Sequence, residues 1–347
     1  MTLPETLQYD PLDLGTHCDP YPTYGRLRAE QPLYWNPERE FWALSRREDV
    51  ARAARDWQTF SAGPGGERSD LDRFFGIRPV DYVAADSARH RVFRRLLRQD
   101  FADEAVMRLE RRAREVAGDL VDRLAERRRA DAVEELAQPM SATVLCHVLG
   151  FPPEDADAIR SWNRELWRRH PGDTDLPATV LAADREAREY VESAAASHGV
   201  MGALRHAERS QTISHDERLD IGVLLIAAGM KTTSALISIA LQLLAQHPDQ
   251  QRQVAADPGL IAGTVEEVLR FDSPAQWFAR ITTTDVATEH GTIPAGQRVL
   301  LLFGSANRDE RAHDEPDRFD VRRPAPRHLS FGHGIHHCLA ASLARHG

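Results

Sequence analysis

The chain has 347 residues, 42% hydrophobic and 28% charged, enough to bury a large core as one big domain or two. A formal charge of -9 argues against nucleic acid as the main partner, and three cysteines without paired spacing argue against a disulfide scaffold and for a reducing compartment. The first residues lack the basic and apolar regions of a signal peptide, and the longest apolar stretch, Ile221 to Met230, is too short to span a membrane, so a cytoplasmic protein with no membrane partner is expected.

Along the chain, Asp19-Pro20-Tyr21-Pro22 opens a short helix through Leu27, and Leu33 to Trp35 with Phe41 to Leu44 reads as a hairpin around Asn36-Pro37-Glu38-Arg39. Ser61 to Val83, with its glycines, Pro79 and the pair Phe74-Phe75, reads as a long ordered loop. Helical patterns follow over Ser87 to Gln99, Glu104 to Arg127, Val133 to Leu149, Glu154 to Arg168 and Ala178 to Glu208. Ser214-His215-Asp216-Glu217 has the form of an N-cap with acids in the first turn, and apolar residues then run from Leu219 to Leu244 as one long, largely buried helix. A helix over Leu260 to Phe271 and strands at Phe278 to Thr283 and Val299 to Phe303 complete a mainly α fold with small β-sheets. Neither a repeat nor a linker divides it, so a single domain over 1–347 is expected.

Near the end, Phe331-Gly332-His333-Gly334-Ile335-His336-His337-Cys338-Leu339-Ala340 forms a glycine-rich loop expected to deliver one cysteine onto the first turn of a small-residue helix. Two glycines let the backbone come close, and free N–H groups of a following helix favour a thiolate, a ligand for a soft metal such as haem iron. Zinc is the rival, since His333, His336, His337 and Cys338 are crowded together, but Cys18 and Cys146 lie far away without C-x-x-C partners. A buried structural cysteine beside surface histidines is the third reading.

Taken with motifs elsewhere, this loop resembles that of the bacterial, soluble cytochromes P-450, haem-thiolate monooxygenases, and the resemblance runs through essentially the whole chain. Phe331-Gly332-x-Gly334-x-His336-x-Cys338-Leu339 matches the family's cysteine loop, with Ala340 for the more frequent glycine. The family's E-x-x-R stands as Glu267-Val268-Leu269-Arg270, followed by Ala306-Asn307-Arg308-Asp309 and Pro316-Asp317-Arg318-Phe319. The resemblance implies that Arg318 joins Glu267 and Arg270 in a buried network behind the loop, serving folding and haem retention. It implies haem b, held between a long central helix and the cysteine loop, with Cys338 as axial ligand and Phe331, Gly332 and Gly334 forming the cradle. Haem carboxylates need cationic partners, and His90, Arg94, Arg280 and His336 match the family's propionate-binding positions.

On the oxygen side the family has Ala-Gly-x-acid-Thr, and this chain has Ala228-Gly229-Met230-Lys231-Thr232. Ala228 and Gly229 would leave room over the iron, and Thr232 would take part in oxygen activation. Among 44 basic residues Lys231 is the one lysine; the arginine bias points to a GC-rich, bacterial genome. Three readings of Lys231 compete: it turns to the surface while another group or water carries protons, it pairs with an anion on the substrate and favours peroxide-driven chemistry or a reaction without full oxygen insertion, or it is damage. The resemblance also implies an apolar organic substrate lined by Phe74, Phe75, Ile77, Trp162, Leu166, Trp167, Leu225, Ala228, Gly229 and Trp277 to Ile281. Arg91, Arg94, Arg95 and Arg98 make one helix basic, which implies an acidic ferredoxin fed by an NAD(P)H reductase. The expected reaction is monooxygenation by a monomer; the alternatives are a peroxide-using enzyme and a non-catalytic haem protein. Nine residues follow Cys338, fewer than in the family, and a C-terminus lacking its helix end and terminal strands is expected.

Overall fold

A computed structural model of the chain describes residues 7–63, 88–127, 129–168, 176–194, 196–324 and 326–346. In chain order the elements begin with helices α1 (Leu14–Cys18) and α2 (Tyr21–Glu30), strands β1 (Leu33–Asn36) and β2 (Phe41–Leu44), helix α3 (Arg47–Arg55) and strand β3 (Phe60–Ser61). A run of helices follows: α4 (Ala88–Leu97), α5 (Asp103–Ala125), α6 (Gln138–Leu149), α7 (Ala156–Leu166), α8 (Ala178–Ser193), α9 (Gly199–Arg209), α10 (His215–Gln246), α11 (Pro248–Ala256) and α12 (Ile261–Phe271). Strands β4 (Phe278–Thr282), β5 (Val286–Thr288), β6 (Gly291–Ile293) and β7 (Arg298–Leu301) come next, then the short helices α13 (Phe303–Ala306) and α14 (Ala341–His346). The mainly α reading holds; the loop expected after Ser61, with Phe74, Phe75 and Ile77, lies largely outside the described residues.

Two expectations change. The helix anticipated over Ala178 to Glu208 is two helices, because Gly199 takes a left-handed φ of +63° and lies backbone to backbone against Gly150, where a Cβ would come within 2.8 Å of the Gly150 nitrogen. The helix anticipated from Val133 opens with a π-turn over Val133–Ala137, just before Pro139, which has no N–H to continue a regular ladder. Helices α3 and α11 went unread, although both carry local signals. Acids Glu48 and Asp49 open α3 and arginines close it, matching the helix dipole, and Pro248 stands at the first position of α11.

The described chain divides into two compact units. The first joins the segment up to 63 with 258–338 and is built on a sheet of order β1-β2-β7-β4-β3. Strand β7 is buried throughout, pairing parallel with β2 and antiparallel with β4. Its side chains alternate between two cores, as a central strand covered on both faces requires. Val299 and Leu301 meet Val50, Ala53, Ala54, Phe303 and Leu329, whereas Leu300 packs with Tyr9, Tyr24, Leu27 and Phe41.

The second unit joins 88–257 with 339–346 around α10. Ser214 caps that helix as read, its hydroxyl accepting from Glu217 N while the Glu217 carboxylate accepts from Ser214 N. By length and composition α10 could cross a membrane, but its N-terminal half spends its apolar side chains, Ile221, Ile226 and Met230 among them, in a core shared with α6, α7, α8 and α9.

Candidate active site

In the first unit the cysteine loop hangs from the sheet-side core by a chain of hydrogen bonds. Asn307, fully buried, accepts from Leu329 N at 2.6 Å through Oδ1 and donates through Nδ2 to Ser273 and Ser330 Oγ, both at 2.8 Å. Ser330 Oγ donates on to Leu269 O of α12 at 2.5 Å. The entry of the loop is thereby tied to α12 before its glycines begin. Gly332 and Gly334 take left-handed φ of +71° and +73°, and a Cβ on Gly334 would lie 2.8 Å from Ala54 O at the end of α3. The loop closes where Cys338 N donates to Phe331 O at 2.8 Å, leaving the thiol exposed.

Cys338 precedes α14 by three residues and does not lie in its first turn; residues 339 and 340 form a turn first. Among the described residues no group of three histidine, cysteine or acidic side chains converges to hold a metal ion, so the crowding of His333, His336, His337 and Cys338 in sequence does not become a zinc cluster. His333 is instead held below its ordinary pKa by burial and by Arg55 and Arg47. Burial pushes the Cys146 thiol up to about 12, which keeps it a packing group.

Behind the loop, Glu267 and Arg270 form the expected bidentate pair, fully buried, at 2.7 and 2.8 Å. The third member is Arg323 and not Arg318. Arg323 Nε donates to Glu267 Oε1 at 3.1 Å, while the Arg318 side chain turns outward to Glu315 and Asp320 and lends only its carbonyl, which accepts from Arg270 and Arg323. Local acids on either side draw Arg318 into solvent. Arg270 also donates to Asn307 O and Pro316 O, so one guanidinium ties α12 to both segments. Sequence reading placed Asn307 in a motif but missed that its amide is the hub.

Arg280 sits on β4 with Phe278 on the same face. The guanidinium is buried and donates to Ala279 O, whereas Phe278 is half exposed with its ring 5.7 Å from that of Phe303. Trp277 and Ala279 pack against the opposite core. His336 ends a single 3₁₀ turn over Gly334–His336 and is partly buried.

In the second unit, His90 and Arg94 stand one turn apart on α4, His90 buried and Arg94 partly so. Arg91, Arg95 and Arg98 are all exposed. On α10 the helix runs unbroken through Ala228, Gly229, Lys231 and Thr232. Ala228, Lys231 and Thr232 are exposed, and the Thr232 hydroxyl donates to Ala228 O at 3.1 Å. The space at Gly229 is taken by Leu145 of α6, whose Cδ1 would lie 2.8 Å from an added Cβ, so the glycine serves the α6–α10 approach.

The end of α7 is fastened to this turn. Asn163 Nδ2 donates to Ile226 O at 2.8 Å and Ala227 O at 2.9 Å, and Trp167 Nε1 donates to Ala227 O at 2.9 Å. Lys231 Nζ lies 4.7 Å from the centre of the Trp167 ring. Of the other aromatic and apolar groups expected to line a substrate, Leu166 is in the helical core, and Trp162 meets Tyr190 with the rings tilted and donates to Glu186 of α8.

The chain's family relationships agree with these motifs. Residues 259–347 match the family described as Cytochrome P450. The vitamin D(3) 25-hydroxylase of Pseudonocardia autotrophica is 35% identical over 99% of this chain and 87% of its own length. The cyclomarin C epoxidase CymV of Salinispora arenicola is 34% identical over 92% of this chain and 83% of its own. The crystal structure of CalO2 superposes with a TM-score of 0.87 at 29% identity, covering 98% of this chain and 88% of that one.

Proposed function

The chain belongs to the cytochrome P450 family, the haem b monooxygenases, and from that premise we propose that it oxidises a small hydrophobic organic substrate, Cys338 being the residue whose thiolate would ligate the haem iron. Its residues suit that cofactor: an exposed thiol at the end of a loop held from behind by Asn307, left-handed glycines that keep side chains out of the backbone's way, and buried or partly buried His90, Arg94, Arg280 and His336 to neutralise two carboxylates. When bound, haem b supplies the redox centre at which dioxygen takes two electrons and two protons, one oxygen atom entering the substrate and the other leaving as water.

The protein's own residues hold that centre and manage protons around it. Phe331, Gly332 and Gly334 cradle the loop, and the backbone bond from Cys338 N to Phe331 O fixes where the sulfur is presented. Ala228 and Thr232 of α10, both exposed, match the family's positions on the oxygen-binding side and would serve that role. The Thr232 hydroxyl donates a hydrogen bond to Ala228 O, so its lone pairs are left to accept one from water and steer it. Electrons come from an acidic ferredoxin that docks on the exposed Arg91 and Arg95 of α4 and Arg98 just beyond it. The activities of the relatives, a hydroxylation and an epoxidation, support oxidation of an organic molecule.

The observation that carries this reading is the exposed Cys338 at the end of its hydrogen-bonded loop. A carbon monoxide difference spectrum of the reduced protein tests it: the red-shifted band of thiolate-ligated iron is expected, and Cys338→Ser should abolish it. A band at the position given by nitrogen-ligated haem in the unmodified protein would remove Cys338 from the role.

A further inference from the structure

We propose that Lys231 and Trp167 act as one positioning unit, which fixes the end of α7 against the exposed Ala228 turn of α10 and thereby shapes the space a distal ligand occupies. This rests on the reading of that turn as the oxygen-facing surface. Residues 163 and 167 are one helical turn apart at the end of α7, so both reach the same stretch of α10. Asn163 and Trp167 donate to carbonyls that regular helix bonding leaves with a lone pair to spare, and the indole is pinned by its N–H at Ala227 O. Lys231 stands one turn beyond Ala227, which brings its ammonium over the pinned ring at 4.7 Å.

The sign of the charge matters here. An indole face is electron-rich, so it attracts an ammonium and repels a carboxylate. An acid at 231 would face the ring held at Ala227 O and push the α7 end away. The lysine is therefore matched to Trp167. Thr232, the next residue, and Ala228, three before, are exposed beside it, so displacement of the ring would alter the surface next to the reacting atoms. Lys231 is a positioning residue on this account, acting through Trp167.

Three measurements on the haem-loaded protein test it: hydrogen exchange over residues 163–168, the affinity for 4-phenylimidazole read from its spectral shift, and the carbon monoxide band. Lys231→Met and Lys231→Glu should speed exchange and weaken 4-phenylimidazole about fivefold, whereas Lys231→Arg, which keeps a cation over the ring, should hold both near the parent value. Trp167→Leu, which also removes the bond to Ala227 O, should do at least as much as Lys231→Met, and adding Lys231→Met to it should change little further, the mark of one unit. Unchanged exchange in Lys231→Glu, or a Trp167→Leu effect that adds fully to that of Lys231→Met, would overturn the pairing. Faster exchange without any change in 4-phenylimidazole affinity would overturn the positioning role. Loss of the thiolate band from the unmodified protein would instead count against the haem assignment, and the exchange comparison would still decide the pairing.

Discussion

At Gly334 the backbone lies in the left-handed region, and an added Cβ would meet Ala54 O at 2.8 Å and Arg55 Cα at 3.1 Å. Both obstacles are backbone, so neither can swing aside as a side-chain tip could. Gly334→Ala is expected to cost about 2–4 kcal/mol from left-handed strain and close contact together, and to speed haem loss to apomyoglobin. An unchanged melting temperature and haem transfer rate would show that the loop does not need the glycine. Gly229 differs, because its close neighbour is the tip of Leu145, which can shift. The two glycines look alike in sequence. One is required by the fold of a loop and the other by the approach of two helices.

The element that organises the cysteine side is α12, through Glu267 and Arg270. Arg323 is mostly buried and bonds Glu267 directly, whereas Arg318 is largely exposed. Arg323→Met should therefore cost about 3 kcal/mol by breaking a buried ion network, while Arg318→Met should stay within about 0.5 kcal/mol. Urea denaturation of the two variants checks the ranking, and the reverse order would restore Arg318 to the network. Helix α4 carries its own prediction. Replacing Arg91 and Arg95 with glutamate should raise the KM for an acidic ferredoxin about tenfold and flatten its salt dependence. The carbon monoxide spectrum should remain that of the parent. A ferredoxin KM that does not move would place docking elsewhere.

For the molecule as a whole, a partly buried histidine sets a limit at low pH. His313 is held down to about 4 from its ordinary 6.5, first by burial and then by Arg270, Arg47 and Arg323, with Asp309 opposing. Its Nε2 is buried without a hydrogen-bond partner among the described residues. The native state thus refuses a proton that the unfolded chain accepts. Stability from this group is full above pH 6.5 and is lost as pH falls from 6.5 through about 4. His313→Gln should flatten the dependence of melting temperature on pH over that window. A curve parallel to that of the parent would assign the acid sensitivity to other groups.

What was legible in the sequence is what local spacing encodes. The glycines and the cysteine of the loop, the i, i+3 pair Glu267 and Arg270, the Ser214 cap and the long apolar run of α10 each lie within a few turns of chain, where backbone geometry fixes who meets whom. They carried the fold class and the cofactor. Partners distant in sequence were decided by tertiary packing: Arg323 in place of Arg318 at Glu267, Asn307 as the hub holding Leu329 and Ser330, and the split between α8 and α9 where Gly199 meets Gly150. So was the meaning of the single lysine. In sequence Lys231 is a basic residue where an acid belongs, and only the folding of α7 onto α10 brings Trp167 beneath it, because a cation–π contact depends on where a ring is held and not on how many residues separate it from the charge.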